Sequence, residues 1–242
     1  MVHMDIAPHK RILCALDTTD QEQALSLARD LSPYVGGVKL GLEFFCAHGP
    51  DGFARIADCG MPIFLDLKLH DIPNTIAKAI KSLSPLQPFM MTIHAGGGPA
   101  MMKAAIDAAQ EATDKANLKR AMVVGVTVLT SMDQTDLDAI GIHRPPAQQV
   151  EILARAAQEA GLDGVVCSSH EITRLRKACD NDFRLIVPGI RPKGSDKGDQ
   201  KRIKTPAEAV KLGADYLVIG RPITMAADPV AAAQRIATEL TL

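Results

Sequence analysis

The sequence predicts a (β/α)8 barrel, the TIM-barrel architecture, on three observations. Eight strand-like runs each give way to a helical stretch, evenly along the chain. Several runs are apolar almost throughout, as parallel strands covered on both faces must be. The length of 242 residues suits one such barrel, a size at which about 70% of the extended-chain surface is buried on folding. A doubly wound open sheet is the structural rival, and the even spacing argues against it. No linker or low-complexity segment divides the chain. Residues 1–242 therefore read as one domain, with 1–10 as an N-terminal extension.

RILCALD (11–17) is the first strand and ends on Asp17. Asp20 then caps a helix over 20–32. GVKLG (37–41) holds Lys39 in the second strand, followed by a helix over 43–58. PIFLDLKL (62–69) places Asp66 and Lys68 two apart, hence on one face. Asp71 lies at the start, and Pro73 in the first turn, of a helix over 73–84. FMMTIHA (89–95) brings His94 to its strand end, and the following AGGGP lets backbone turn tightly or approach a ligand. A helix over 99–115 and the strand AMVVGVTVL (121–129) come next. TSMDQTDLDAIGIHRPP (130–146) reads as a long structureless loop, a kind that is usually functional; it contains Ser131.

Val150, Leu153, Ala154, Ala157 and Ala160 form one stripe of a helix over 147–160, which Gly161 stops. GVVCS (164–168) precedes a helix over 170–179 with Ser169 as its expected cap. RLIVPG (184–189) leads into a second long loop, IRPKGSDKGDQKRIK (190–204). Thr205 and Pro206 open a helix that Gly213 closes. YLVIG (216–220) and a helix over 228–240 complete the eighth unit.

Composition narrows the possible functions. Hydrophobic residues make up 47%, aromatics only 3%, and tryptophan is absent, so the core is aliphatic. A net charge of -1 gives no support to a nucleic-acid surface, though a local anion site stays open. Cys14, Cys46, Cys59, Cys167 and Cys179 are odd in number, far apart and without metal spacing. They read as reduced, buried thiols of a cytoplasmic protein. MVHMDIAPHKR (1–11) is too short and polar for a signal peptide, and no apolar run approaches a membrane span.

On a barrel the strand ends converge on one mouth. Asp17, Lys39, Asp66, Lys68 and Asp71 would meet there with alternating sign. Such a cluster is costly to bury unless its members pair or do chemistry. It forms a preorganised electrostatic site with a lysine as candidate proton donor. Singly, each has a structural reading: Asp71 could cap its helix, Lys39 could snorkel outward, and Asp66 with Lys68 could be an ion pair. Thr75 is uninformative alone, His94 could be an acid, a base or a satisfied rim residue, with the structural reading favoured, and Ser131 could contact a polar ligand or cap its loop.

The last third suits an anion. PGIRP (188–192) and IGRP (219–222) end the seventh and eighth strands, where barrel enzymes commonly hold phosphate. Gly189 and Gly220 permit close approach, and Arg221 offers forked donors unless it is spent on a surface ion pair. In 190–204, Arg191, Lys193, Lys197, Lys201, Arg202 and Lys204 outnumber Asp196 and Asp199, with Gly194 and Gly198 for flexibility. That fits either a phosphate-closing lid or a solvated basic loop. The implied substrate is a phosphate monoester reacting over the first three strands. Asp66, Asp71 and Glu43 could surround Mg²⁺, but Lys39 and Lys68 already supply positive charge, and no metal site is expected. Neither GxGxxG, a GxSxG elbow nor a Walker loop is present.

DLKLHDIPNT (66–75) matches a D-x-K-x-x-D-I-P-x-T motif, and CALD (14–17), VKLG (38–41), PGIRP (188–192), GDQKR (198–202) and VIGRP (218–222) follow in order. By these the chain resembles the orotidine 5'-phosphate decarboxylases of bacteria over essentially its whole length. The resemblance implies loss of CO₂ from C6 of orotidine 5'-phosphate to give UMP, without cofactor or metal. It implies that Lys39, Asp66, Lys68 and Asp71 form the catalytic network, with Lys68 protonating C6 and Asp66 beside the substrate carboxylate. Asp17 and Lys39 would hold the ribose, and Ser131 the pyrimidine. Gln200 and Arg221 would hold the phosphate, Arg191 would support the loop that carries Gln200, and Pro188 and Gly220 would be among the substrate-binding residues. Asp71 and Thr75 would reach the neighbouring site of a homodimer. One rival is the 3-keto-gulonate 6-phosphate decarboxylases, similar barrels that use Mg²⁺ and an acidic residue where Lys39 stands. The other is a non-enzymatic nucleotide-binding barrel, which would not need the charged cluster.

Overall fold

All eight apolar runs become parallel strands: β1 (Ile12–Ala15), β2 (Gly37–Gly41), β3 (Ile63–Leu69), β4 (Met90–His94), β5 (Met122–Val126), β6 (Gly164–Val166), β7 (Arg184–Val187) and β8 (Tyr216–Ile219). Each pairs with the next and β8 returns to β1, so the sheet is a closed barrel. This computed structural model describes residues 6–192 and 204–241. The connections run through α1 (Gln21–Leu31), α2 (Leu42–Ala57), α3 (Pro73–Leu83), α4 (Pro99–Ala116), α5 (Gln134–Ala139), α6 (Pro146–Glu159), α7 (Ile172–Ala178) and α8 (Pro206–Leu212). Past β8 come α9 (Arg221–Thr224) and α10 (Pro229–Glu239). Among the described residues no helix is long and apolar enough to cross a membrane.

Strand alternation sorts the core into two shells. Ile12, Cys14, Val38, Leu40 and Leu65 face outward and meet helix residues such as Ala28, Phe44 and Ile80. Leu13, Ala15, Phe64, Met90, Val124, Ile186, Tyr216 and Val218 pack inside the barrel. Ile6, Phe89 and Met122 pack against that inner cluster. A 3-10 turn at Pro8–Arg11 brings the buried Arg11 guanidinium to the carbonyls of Ala214 and Asp215 at 3.3 and 3.2 Å. Residues 6–11 are thus fastened to the lower end of the barrel rather than extending from it. The lower end is filled, so the cavity lies at the opposite one.

Several expectations need correction. Residues 130–146 are not structureless, because α5 lies inside them. Asp133 and Asp136 cap each other's backbone there, and only Leu137 of that helix is buried, so no apolar stripe announced it. The 43–58 helix is broken at Gly49 (φ 56, ψ -153), just before Pro50. Ser169 is buried and does not cap, since Glu171 precedes α7. Asp71 is a near-cap, one of the two readings its position allowed: Ile72 is the N-cap of α3, and the Asp71 carboxylate accepts the Ile72 N–H at 2.7 Å. Asp20 and Thr205 cap as expected, Thr205 in a capping box with Glu208. Cys14 and Cys167 are buried, but Cys46 is exposed and Cys59 and Cys179 are half-buried. Burial, aided by the Asp17 charge, pushes the Cys14 thiol up to about 12.

Candidate active site

Period-two alternation decides which side chains meet at the mouth. In β2, Lys39 points inward between Gly37 and Gly41. In β3, Asp66 follows the inward Phe64. At the end of β1, Asp17 follows the inward Ala15. The result is a row of alternating charge. Lys39 Nζ lies 3.0 Å from Asp17 Oδ1 and 3.7 Å from Asp66 Oδ2, and Lys68 Nζ lies 2.9 Å from that same Asp66 oxygen. The side chains of Lys39 and Asp66 are only 10% and 12% exposed, against 57% for Asp17. The two buried members are therefore each flanked by opposite charge, which offsets their desolvation.

Gly41 makes room for this row. A Cβ on Gly41 would sit 2.9 Å from Lys39 Nζ and 3.5 Å from Asp17 Oδ1. Lys68 departs from regular strand geometry. Its φ is +52, a region that costs a non-glycine residue about 1–3 kcal/mol. It sits where the β3–β4 register shifts: Leu65 pairs with Met91, and Leu69 with Ile93. The buried Thr92 hydroxyl is 2.8 Å from the Lys68 amide and 3.0 Å from Asp66 Oδ1.

These charges border a cavity of about 200 Å³. Lys39, Asp66 and Lys68 form its polar wall, and Val126, Val128, Val166, Pro188 and Val218 are among its apolar lining. A larger cleft of about 370 Å³ lies by Lys81, Glu111, Lys115 and Lys119, where Glu111 is already bound to Lys81 and Lys115. It shares no residue with the charged row.

The expected site residues divide. Asp17, Lys39, Asp66 and Lys68 come together, and Pro188 lines their cavity. Ser131 is exposed just beyond Thr130, which lines it. Arg191 is buried, with Nη1 donating to Ile190 O at 3.0 Å and its amide to Lys204 O at 3.1 Å. Gly220 adjoins β1, its Cβ direction 3.8 Å from Asp17 Oδ2, and Arg221 follows it, exposed, at the start of α9. Asp71 and Thr75 do not join Asp66 in this chain. Both are exposed around the start of α3, beside Ile72, which is 65% exposed. Glu43 is exposed in the first turn of α2. Gln200 lies outside the described residues, as do Lys193, Gly194, Asp196, Lys197, Gly198, Asp199, Lys201 and Arg202. Among the described residues no three His, Cys, Asp or Glu side chains gather as a metal site.

His94 ends β4 at the rim. Its Nδ1 is 3.1 Å from the Gly96 N–H, and its ring stacks on His70 with centroids 5.0 Å apart. Thr92, Gly41 and the valine wall were not singled out from the sequence. The strand alternation that selects Asp66 and Lys68 would have selected Thr92 as well, two residues past the inward Met90.

The profile of the family described as orotidine 5'-phosphate decarboxylase / HUMPS matches residues 10–236. The chain is 52% identical over 231 residues to the orotidine 5'-phosphate decarboxylase of Paramagnetospirillum magneticum, covering 96% of this chain and 98% of that protein. With the Ehrlichia canis protein of the same name the identity is 51%, with the same coverage. The crystal structure of orotidine 5'-phosphate decarboxylase from Lactobacillus acidophilus superposes with a TM-score of 0.84 at 37% identity, over 96% of this chain and 99% of that one.

Proposed function

Because the chain belongs to the orotidine 5'-phosphate decarboxylase / HUMPS family, we propose that the Asp17–Lys39–Asp66–Lys68 row is the machinery of its reaction. Within that family the reaction follows from identities of 52% and 51% to orotidine 5'-phosphate decarboxylases: the protein removes CO₂ from orotidine 5'-phosphate to leave UMP, in pyrimidine biosynthesis. The observation that carries the assignment of residues is the row itself, two ammonium groups sharing the Asp66 carboxylate at the edge of a cavity.

The bond from C6 to the carboxylate breaks, its electron pair stays on C6, and CO₂ leaves. That pair has little delocalisation, so a fixed ammonium stabilises the transition state far more than the ground state. Lys68 donates its proton to C6, and water restores it. Asp66, beside the substrate carboxylate, disfavours the ground state electrostatically. Asp17 and Lys39 hold the ribose hydroxyls, and Ser131 and Pro188 contact the pyrimidine. Arg221, Gly220, Arg191 and Gln200 grip the phosphate, with 190–204 as the closing loop. No metal or organic cofactor takes part, since Lys39 and Lys68 place positive charge where a divalent ion would act.

Two chains share their sites in this reading. Asp71 and Thr75 of one protomer complete the site of its partner. The support is their exposure, with Ile72, away from their own chain's row. The enzyme works in the cytoplasm, a placement supported by five cysteines that are all free thiols.

The first test is loss of orotidine 5'-phosphate absorbance with and without EDTA, for the parent protein and Lys68→Ala. Turnover should be EDTA-insensitive. Lys68→Ala should lose it by on the order of 10³-fold or more while still binding UMP. EDTA-sensitive turnover would favour a metal-dependent phosphosugar-type mechanism, and near-normal Lys68→Ala would remove Lys68 as the proton donor.

A further inference from the structure

Thr92 is buried to 1% exposure on β4, facing the barrel interior. A buried threonine ordinarily satisfies its hydroxyl on a nearby backbone carbonyl. Thr127, just past β5, does this, donating to Val166 O at 2.8 Å. The Thr92 hydroxyl instead bridges two parts of the charged row. It accepts the Lys68 backbone N–H at 2.8 Å, and its own proton goes to Asp66 Oδ1 at 3.0 Å.

Both bonds fall where the backbone is least regular. Between the Leu65–Met91 and Leu69–Ile93 pairs, four steps along β3 correspond to two along β4. Lys68 lies inside that interval with its φ at +52. The hydroxyl gives the Lys68 amide an acceptor within that irregular stretch. A strained backbone persists only where its surroundings over-determine it, and this bond is one such constraint. At Asp66 the hydroxyl occupies one carboxylate oxygen, so the other is presented to Lys68 Nζ at 2.9 Å and Lys39 Nζ at 3.7 Å.

We propose that Thr92 is a positioning residue for decarboxylation: its hydroxyl sets the plane of the Asp66 carboxylate and the backbone from which Lys68 reaches C6. Thr92 touches no reacting atom. The inference rests on Asp66 and Lys68 being the catalytic pair. Displacing reacting groups by about 1 Å costs on the order of 10²-fold in rate, and that sets the scale of the expected effect.

The test compares Thr92→Val, Thr92→Ala, Thr92→Ser and Lys68→Ala in steady-state turnover, UMP binding and thermal unfolding. Thr92→Val and Thr92→Ala should lower kcat by on the order of 10- to 100-fold, with UMP affinity and KM changed much less. Thr92→Ser should restore most of kcat. If Thr92→Val does not fold, the Ala and Ser variants still differ by one oxygen and decide the matter. Parent-like kcat in Thr92→Ala beside a collapsed Lys68→Ala overturns the inference and leaves the catalytic pair standing. So does a Ser variant as slow as Ala, or a loss of UMP affinity that matches the loss of kcat. Near-normal turnover in Lys68→Ala would instead remove the catalytic reading on which the proposal depends.

Discussion

His94 shows how burial and neighbouring charge act on a single side chain. Burial first, then the charges of His70 and Lys68, hold its imidazole below the ordinary value of 6.5. The Gly96 N–H also needs Nδ1 as an acceptor, which only a ring unprotonated at that nitrogen supplies. The unfolded chain therefore binds this proton more readily than the folded one. The contribution of His94 to stability is intact above about pH 6.5 and declines as pH falls from there through its depressed pKa. Thermal unfolding between pH 7 and pH 5 should drop less steeply in His94→Asn than in the parent. Parallel curves would remove His94 from the acid response. At this scale the sequence was readable wherever charge interrupts an apolar run: Asp17, Lys39, Asp66 and Lys68 all stand out. Thr92 does not stand out in this way, because a threonine inside FMMTIHA looks like any β-former, and only strand alternation marks it as inward.

At the scale of elements, β2 is the most exacting. It must carry Lys39 inward and then end without a side chain at Gly41, which would meet the Lys39 ammonium at 2.9 Å. Gly41→Ala should lower kcat by about tenfold or more by displacing that ammonium. Its melting temperature should stay close to the parent's, because the displaced group is the end of a flexible chain. A melting and rate assay on the one variant checks both; unchanged turnover would show that Lys39 tolerates the shift. Strands and most helices were legible from their periods and caps, as at Asp20 and Thr205. The helix Gln134–Ala139 was not, since its stabilisation is a local exchange between Asp133 and Asp136 with little apolar burial. The register shift in β3 was equally hidden, because it depends on β4.

For the whole molecule, the closed barrel followed from repetition alone, and so did a charged mouth. The pyrimidine, the bond that breaks and the second protomer came only through family resemblance, since neither spacing nor composition encodes a partner. The proposed shared site has its own test. Asp71→Ala and Lys68→Ala protomers should each be nearly inactive alone. Mixed through dissociation and reassociation they should recover about a quarter of parental activity, from mixed dimers holding one undamaged site. No recovery, with mixed dimers demonstrated by a tag, would place Asp71 in its own chain's site.

The seam between the first and last strands bears on how the protein is made. Cys14 pairs with Ile219, and Arg11 grips the carbonyls of Ala214 and Asp215. A ribosome must therefore have translated nearly the entire message before the opening strand meets its second neighbour. Until then the nascent chain carries an unclosed edge, and Gly220 and Arg221, proposed for the phosphate, emerge later still. Translation that stalls before this point leaves the Lys39, Asp66 and Lys68 codons already read but no finished enzyme.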